Sequence, residues 1–225
     1  MSEGRIVSRA ELKGISKDFP GVQALDKVDL TIMPGEVHGL IGENGAGKSV
    51  LLKILLGAYQ KDEGEIYLNG KLMDIRSTAV GRKEGLSAVW QDLMLSPSLS
   101  VAENICLGML PSTAGIVSYK EMRKKAQEIC DKYGIRLDLN ARVRDLIVAQ
   151  QQMVAIAKAL ALNCQVLVLD EPTAMLTDDE TEILFQSIRT LKATGVSIIY
   201  VSHRMEELFE ICDAATVLRD GHQVG

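Results

Sequence analysis

The chain has little cysteine, and none of it is paired by spacing: Cys106, Cys130, Cys164 and Cys212 stand far apart, with no C-x-x-C and no neighbouring histidine pair. That pattern indicates neither a zinc knuckle nor a disulfide framework, so all four read as reduced packing residues. No apolar stretch approaches the roughly 18 residues that a membrane span needs, and the opening Met1-Ser2-Glu3-Gly4-Arg5 carries no apolar signal region. A cytosolic chain is expected. Basic charge is also short, with 25 Lys and Arg against 30 Asp and Glu and a net charge of −5. This gives no electrostatic footprint for nucleic acid or an anionic membrane, and no nucleic-acid partner is expected. Internal repeats and low-complexity segments are lacking too. What remains is an ordinary globular composition, 225 residues and 47% hydrophobic, enough for a substantial core in one domain or one domain with an inserted lobe.

Short apolar runs separated by turn signals occupy residues 11–15, 25–32 and 37–41 and read as strands. A helix follows from Lys48. Residues 65–68 give another strand, stopped by the favoured hairpin turn Asn69-Gly70, with residues 71–75 returning as an antiparallel flap. After Gln91 the pattern becomes helical: residues 101–110 and 118–133 carry apolar positions at helical spacing, and Ser118-x-x-Glu121 resembles a capping box. Residues 92–149 therefore read as a helical insertion. Beyond it come a helix over 150–162 and the all-apolar run 166–169, which suits a strand buried on both faces of a parallel sheet. A helix over 179–194 and an apolar strand over 196–201 complete a βαβ pattern.

The segment Gly42-Glu43-Asn44-Gly45-Ala46-Gly47-Lys48-Ser49 spells G-x-x-x-x-G-K-[ST] between a strand and a helix. Glycines there let successive backbone N–H groups converge on phosphate oxygens, and the helix turns its positive end to the anion. Lys48 is placed to reach the β and γ phosphates, and Ser49 to ligate Mg²⁺. Asp170 and Glu171 follow the buried strand at its carboxyl end, where open α/β sheets place their ligands. Asp170 is assigned to Mg²⁺ and Glu171 to the base that orients the attacking water. His203 follows strand 196–201 at the same sheet edge, within reach of the γ-phosphate, whereas His38 and His222 read as structural.

These motifs, with Gln91 and the run Leu146-Ile147-Val148-Ala149-Gln150, occur in the order seen in ABC-type ATPases, which the chain resembles along nearly its whole length. More narrowly, Phe19-Pro20-Gly21-Val22, Gln151-Gln152-Met153-Val154 and Glu171-Pro172-Thr173-Ala174 resemble the amino-terminal half of tandem ATPases that energise bacterial sugar importers. The resemblance implies an α/β P-loop NTPase: a mostly parallel RecA-like sheet, an amino-terminal antiparallel β subdomain and an inserted helical subdomain. It implies ATP and Mg²⁺, adenine stacked on Phe19, and Gln91 touching Mg²⁺ and the attacking water. Phosphate contacts fall to Gly42, Asn44, Gly45, Ala46, Gly47, Lys48 and Ser49, and catalytic roles to Glu171, His203, Gln91 and Lys48. It also implies a second ATPase half, membrane permease subunits and, indirectly, a solute-binding protein, with the chain at the cytoplasmic face of the membrane as part of a longer tandem protein. A soluble ATPase acting on ribosomes or DNA, and an importer of nucleosides or autoinducers, share the same chemistry and stay open on these residues. One departure stands out: the family signature L-S-G-G-Q reads Leu146-Ile147-Val148-Ala149-Gln150 here, so the serine hydroxyl is gone and both glycines are replaced.

Overall fold

In a computed structural model, which describes residues 7–109, 112–113 and 116–225, the chain forms two main sheets and a short two-stranded ribbon, connected by helices. The first strands pair locally. Strands β1 (Ala10–Phe19), β2 (Val22–Ile32), β4 (Glu63–Leu68) and β5 (Lys71–Met73) form an antiparallel sheet in the order β2-β1-β4-β5. The β4–β5 turn is Asn69-Gly70, with φ of 50° and 75°, the left-handed pair that a two-residue hairpin turn favours.

The second sheet has six strands. β6 (Leu86–Val89), β9 (Val166–Asp170), β10 (Ser197–Val201), β3 (Val37–Ile41) and β11 (Ala214–Arg219) run parallel in that spatial order, and β12 (His222–Gln223) turns back against β11. Alternation across β9 and β10 explains their unbroken apolar runs. Leu167, Leu169, Ile198 and Tyr200 enter one core, while Val166, Val168, Ile199 and Val201 enter the other. Burying each such aliphatic side chain contributes on the order of 1.5–3 kcal/mol, so both faces of this sheet are committed to packing. A ligand-binding site must then sit at the ends of its strands.

The helices are α1 (Lys48–Leu55), α2 (Thr78–Lys83), α3 (Val101–Cys106), α4 (Tyr119–Tyr133), α5 (Val148–Leu160), α6 (Asp178–Ala193) and α7 (Met205–Ile211). On α1 the apolar stripe Leu51, Leu52, Ile54 and Leu55 packs with the antiparallel sheet, whereas α3, α4, α5 and α6 build the opposite core. A 3-10 turn (Val143–Asp145) leads into α5. The first sheet and the helical lobe between β6 and α5 match the expected layout.

Several expected boundaries shift. α3 stops at Cys106 because Leu107 is extended and Gly108 takes φ of 88°, so the helix anticipated over 101–110 is shorter; Leu110 lies outside the described residues. A small ribbon, β7 (Ser112–Thr113) with β8 (Ile116–Val117), precedes α4. Helix α5 begins two residues before Gln150, although Ile147 at its start offers no side-chain acceptor. At α4 only half of the expected capping box forms, Ser118 accepting from the Glu121 N–H, while full boxes stand at Ser100–Glu103 and Thr177–Glu180. The four cysteines are free thiols; Cys106, Cys130 and Cys164 are buried and Cys212 is half-buried.

Candidate functional site

The chain leaves β3 at Gly42 and enters α1 at Lys48, and the loop between them is shaped by what a side chain would meet. Gly47 caps α1 with φ of 102°; a Cβ there would stand 2.7 Å from Leu25 Cδ2 and 2.8 Å from the Ala24 carbonyl. Gly45, with φ of 89°, has nothing within 4 Å of where its Cβ would lie. The cradle is thus walled by β2 on one side and open at its mouth. No side chain caps α1, and its first turn holds no acidic residue. Its leading N–H groups therefore remain for an anion. Lys48 Nζ folds back over the loop, donating to the Gly42 carbonyl at 2.5 Å and the Glu43 carbonyl at 3.0 Å. Phosphate oxygens would be stronger acceptors for the same ammonium. Asn44 and Ser49 are exposed, and Ala46 is buried, its carbonyl accepting from Gly221 N at 3.3 Å.

Across the sheet, β9 ends at Asp170 and β10 at Val201, paired in register. The next residue, Glu171, has φ of 47°, and its N–H donates to the Val201 carbonyl at 2.9 Å. A non-glycine residue held in the left-handed region costs about 1–2 kcal/mol, a strain that concentrates at functional sites. Glu171 Oε1 lies 3.3 Å from Nδ1 of His203, whose side chain is 71% exposed. Burial pushes the Asp170 carboxyl above the usual carboxylate range, helped by the Glu171 charge and opposed by Lys48 and Lys53. Asp170 therefore sits in the field of the phosphate-loop lysine.

Gln91 follows β6 by two residues and is exposed. Since Val89 pairs with Leu169, it emerges at the same edge as Asp170 and Glu171, although among the described residues no hydrogen bond joins it to either. Phe19 ends β1, is 37% exposed, and meets Tyr59 edge-on with centroids 5.6 Å apart. Lys17 Nζ lies 5.5 Å from the Phe19 ring centre. Phe19 is thus a surface aromatic with supporting neighbours. His38 is buried between Glu36 (2.8 Å) and Thr216 (2.9 Å), and His222 lies 3.7 Å from Asp26.

Among the described residues no three His, Cys, Asp or Glu gather into a metal cage. Ser49, Gln91 and Asp170 bring single oxygens, a donor set suited to Mg²⁺, which keeps several waters and completes its shell with substrate phosphates. The residues present therefore fit that ion.

Sequence reasoning missed three features. Tyr59 supports Phe19. A buried carboxylate, Glu207, accepts hydrogen bonds from Thr173, Tyr200 and Ser202. Finally, a largely apolar groove of about 360 Å³ runs beside Gln91, lined by Trp90, Leu93, Met94, Leu107, Ala155 and Lys158 among others. Lys158 Nζ donates to the Met94 carbonyl at 2.9 Å and pins the segment after Gln91 to α5.

Comparison with known proteins bears on all of this. The family model described as ABC transporter matches residues 25–174. The chain is 53% identical over 215 residues to the ribose import ATP-binding protein RbsA 1 of Rubrobacter xylanophilus, covering 96% of this chain and 43% of that protein. It is 48% identical over 210 residues to the arabinose import ATP-binding protein AraG of Paraburkholderia xenovorans, covering 93% of this chain and 41% of that protein. It thus spans less than half the length of these relatives. A solved nucleotide-free ATP-binding cassette from an ABC transporter superposes with a TM-score of 0.86 at 25% identity, over 97% of this chain and 90% of that one. A dimeric cassette in a post-hydrolysis state, bound to ADP and Pi, gives 0.78 at 29% identity over 96% and 97%. The chain belongs to the ABC transporter family, as one of its ATP-binding cassettes.

Proposed function

We propose that this chain binds and hydrolyses ATP to power import of a sugar or related small solute through a membrane permease. The observation that carries the reading is the convergence of an open, uncapped phosphate cradle with the strained Glu171 and its partner His203 at one sheet edge, in a chain 53% identical to a ribose import ATP-binding protein. The cradle N–H groups and Lys48 hold the β and γ phosphates, and Phe19 stacks on the base. Ser49, Gln91 and Asp170 would hold Mg²⁺, which supplies charge neutralisation across the transferring phosphate when bound. Glu171 orients the attacking water and takes its proton, and His203, with Nδ1 engaged by Glu171, keeps Nε2 for the γ-phosphate.

Partners follow from the surface. We take residues 92–149 as the inserted subdomain and the groove beside Gln91 as the place where a permease segment docks, so that nucleotide state reaches the membrane through Gln91. No helix among the described residues is long and apolar enough to cross a membrane, and the proposed location is peripheral, at the cytoplasmic face. A second ATPase half completes the site on Lys48, and a solute-binding protein acts indirectly. At the signature position Ile147 and Val148 are 57% and 37% exposed, and the Ile147 N–H is already taken by Gln150 Oε1 at 3.4 Å. With no hydroxyl and one backbone donor engaged, the composite site completed by this signature is weak, and the site on Lys48 is the productive one. The test is to extract the full-length native protein in mild detergent and identify what co-purifies. A multi-spanning permease is expected; ribosomes or DNA without any membrane protein would overturn the reading.

A further inference from the structure

Glu207 lies on α7, four residues after His203, and is 4% exposed. Its carboxylate is saturated by donors from the loops on either side. Thr173 Oγ1 donates at 2.8 Å to Oε1, with 2.9 Å to Oε2; Tyr200 Oη and Ser202 Oγ donate to Oε2 at 2.9 and 2.8 Å. Arg204 Nη1 reaches Oε1 at 2.8 Å. Four donor groups meet the roughly four acceptor positions a carboxylate offers, so none remains for substrate or for proton transfer. Glu207 is therefore not a catalytic group itself.

Its partners decide what it does. Ser202 and Arg204 flank His203 on both sides, and Ser202 Oγ in turn accepts from the Arg204 N–H at 3.0 Å. Thr173, 3% exposed, lies two residues beyond Glu171, and its carbonyl accepts from Leu176 N at 3.0 Å. Tyr200, fully buried, fixes the end of β10 that accepts the Glu171 N–H one residue later. One buried anion thus ties the loop carrying the base to the loop carrying the histidine, while the two side chains that meet at 3.3 Å remain partly or largely exposed. Pairing Glu207 with Arg204 alone would leave the three hydroxyl groups from two further segments unexplained.

We propose that Glu207 is a positioning residue for ATP hydrolysis, holding Glu171 and His203 in register so that the water-activating pair is assembled before substrate arrives. The inference rests on the ATPase reading above. Misplacing reacting groups by about 1 Å can cost on the order of 10²-fold in rate.

The experiment measures steady-state ATP hydrolysis by the full-length protein assembled with its permease, for wild type, Glu207→Gln, His203→Ala and the double variant. Glu207→Gln is expected to lower kcat about 10- to 100-fold with KM for ATP held within about threefold. The double variant is expected to be no slower than His203→Ala alone, since both changes break the same alignment. Thr173→Val, which removes one donor and keeps the side-chain shape, is expected to lower kcat in the same direction by a smaller factor and serves if Glu207→Gln fails to fold. Unchanged kcat in an active assembly, or losses that multiply in the double variant and fall equally on nucleotide affinity, would overturn the inference alone. A wild-type assembly that binds no ATP and hydrolyses none would overturn the functional reading and this inference with it.

Discussion

Two glycines of the phosphate loop, two residues apart, should fail differently when each is replaced by alanine. At Gly45 the new methyl meets nothing within 4 Å, so the cost to folding is the backbone alone, φ of 89° being a conformation that L side chains rarely adopt. That cost is about 1–2 kcal/mol, or roughly 2–8 °C in Tm for a chain of this size. At Gly47 the same backbone cost is joined by a clash with Leu25 and with the Ala24 carbonyl at 2.8 Å, and a main-chain atom cannot step aside as a side-chain tip can. Overpacking adds about 1–3 kcal/mol, bringing the total to roughly 2–5 kcal/mol and about 4–20 °C.

Ligand binding should separate the pair in the opposite sense. With Mg-ATP at about 100 times its Kd the unmodified protein gains about 2.7 kcal/mol, seen as a rise of roughly 5–11 °C. Gly45→Ala places its methyl in the open mouth, where phosphate oxygens need the backbone, so most of that rise should vanish from a protein that has lost only the backbone cost. Gly47→Ala should show its damage before any nucleotide is added. The assay is a thermal melt of each variant with and without Mg-ATP. A Gly45→Ala protein with the full nucleotide-induced rise would refute the placement of phosphate in the open mouth. Equal losses of Tm without nucleotide would refute the claim that Leu25 and Ala24 wall the loop.

Other outcomes follow from the same geometry. Glu171→Gln should keep Mg-ATP binding and abolish hydrolysis in the full assembly, while Lys48→Ala should weaken binding itself, as read by nucleotide titration beside phosphate release. Restoring the signature with Ile147→Ser and Val148→Gly should raise turnover of the full assembly if the composite site is silenced there, and no gain in phosphate release would count against that reading. Burial pushes the thiols of Cys130 up to about 11 and of Cys164 and Cys212 up to about 12. At pH 8 their thiolate fractions are then about a thousandth or less, so alkylation of the native protein should be slow and become fast in denaturant; rapid native labelling would contradict the packing.

How much of this was legible in the residues depended on whether the signal was local. The buried strand over residues 166–169 could be read because a parallel strand covered on both faces has to be continuously apolar, and Asn69-Gly70 because the turn itself selects those residues. The phosphate loop is legible because the positive φ values at Gly45 and Gly47 select glycine locally, whereas the contacts that close off Gly47 come from Leu25 and Ala24 and could not be read. Boundaries set by tertiary contacts were not. Apolar spacing continued past Cys106 where the backbone turned away, and α5 began at Val148 with no side-chain acceptor at Ile147 to announce it. Two-residue strands such as β7 and β8 are too short to show a period.

Glu207 marks where local reading ends. In the run Met205-Glu206-Glu207-Leu208-Phe209-Glu210 its carboxylate has the same sequence character as Glu206 and Glu210, an acidic helix face facing water. Only the packing of α7 against the ends of β9 and β10 turns one of the three inward, and the donors waiting for it come from residues 173, 200, 202 and 204. A buried carboxylate without partners would cost several kcal/mol, so each donor is needed for the fold to accept the charge. Because those donors flank Glu171 and His203, the energetic demand of one buried anion also constrains the loops that carry the pair proposed to act on water. The glycine-rich loop and the Glu171–His203 pair are therefore specified by different physics: one by glycines in a short loop, the other by a charge that cannot be left unpaired.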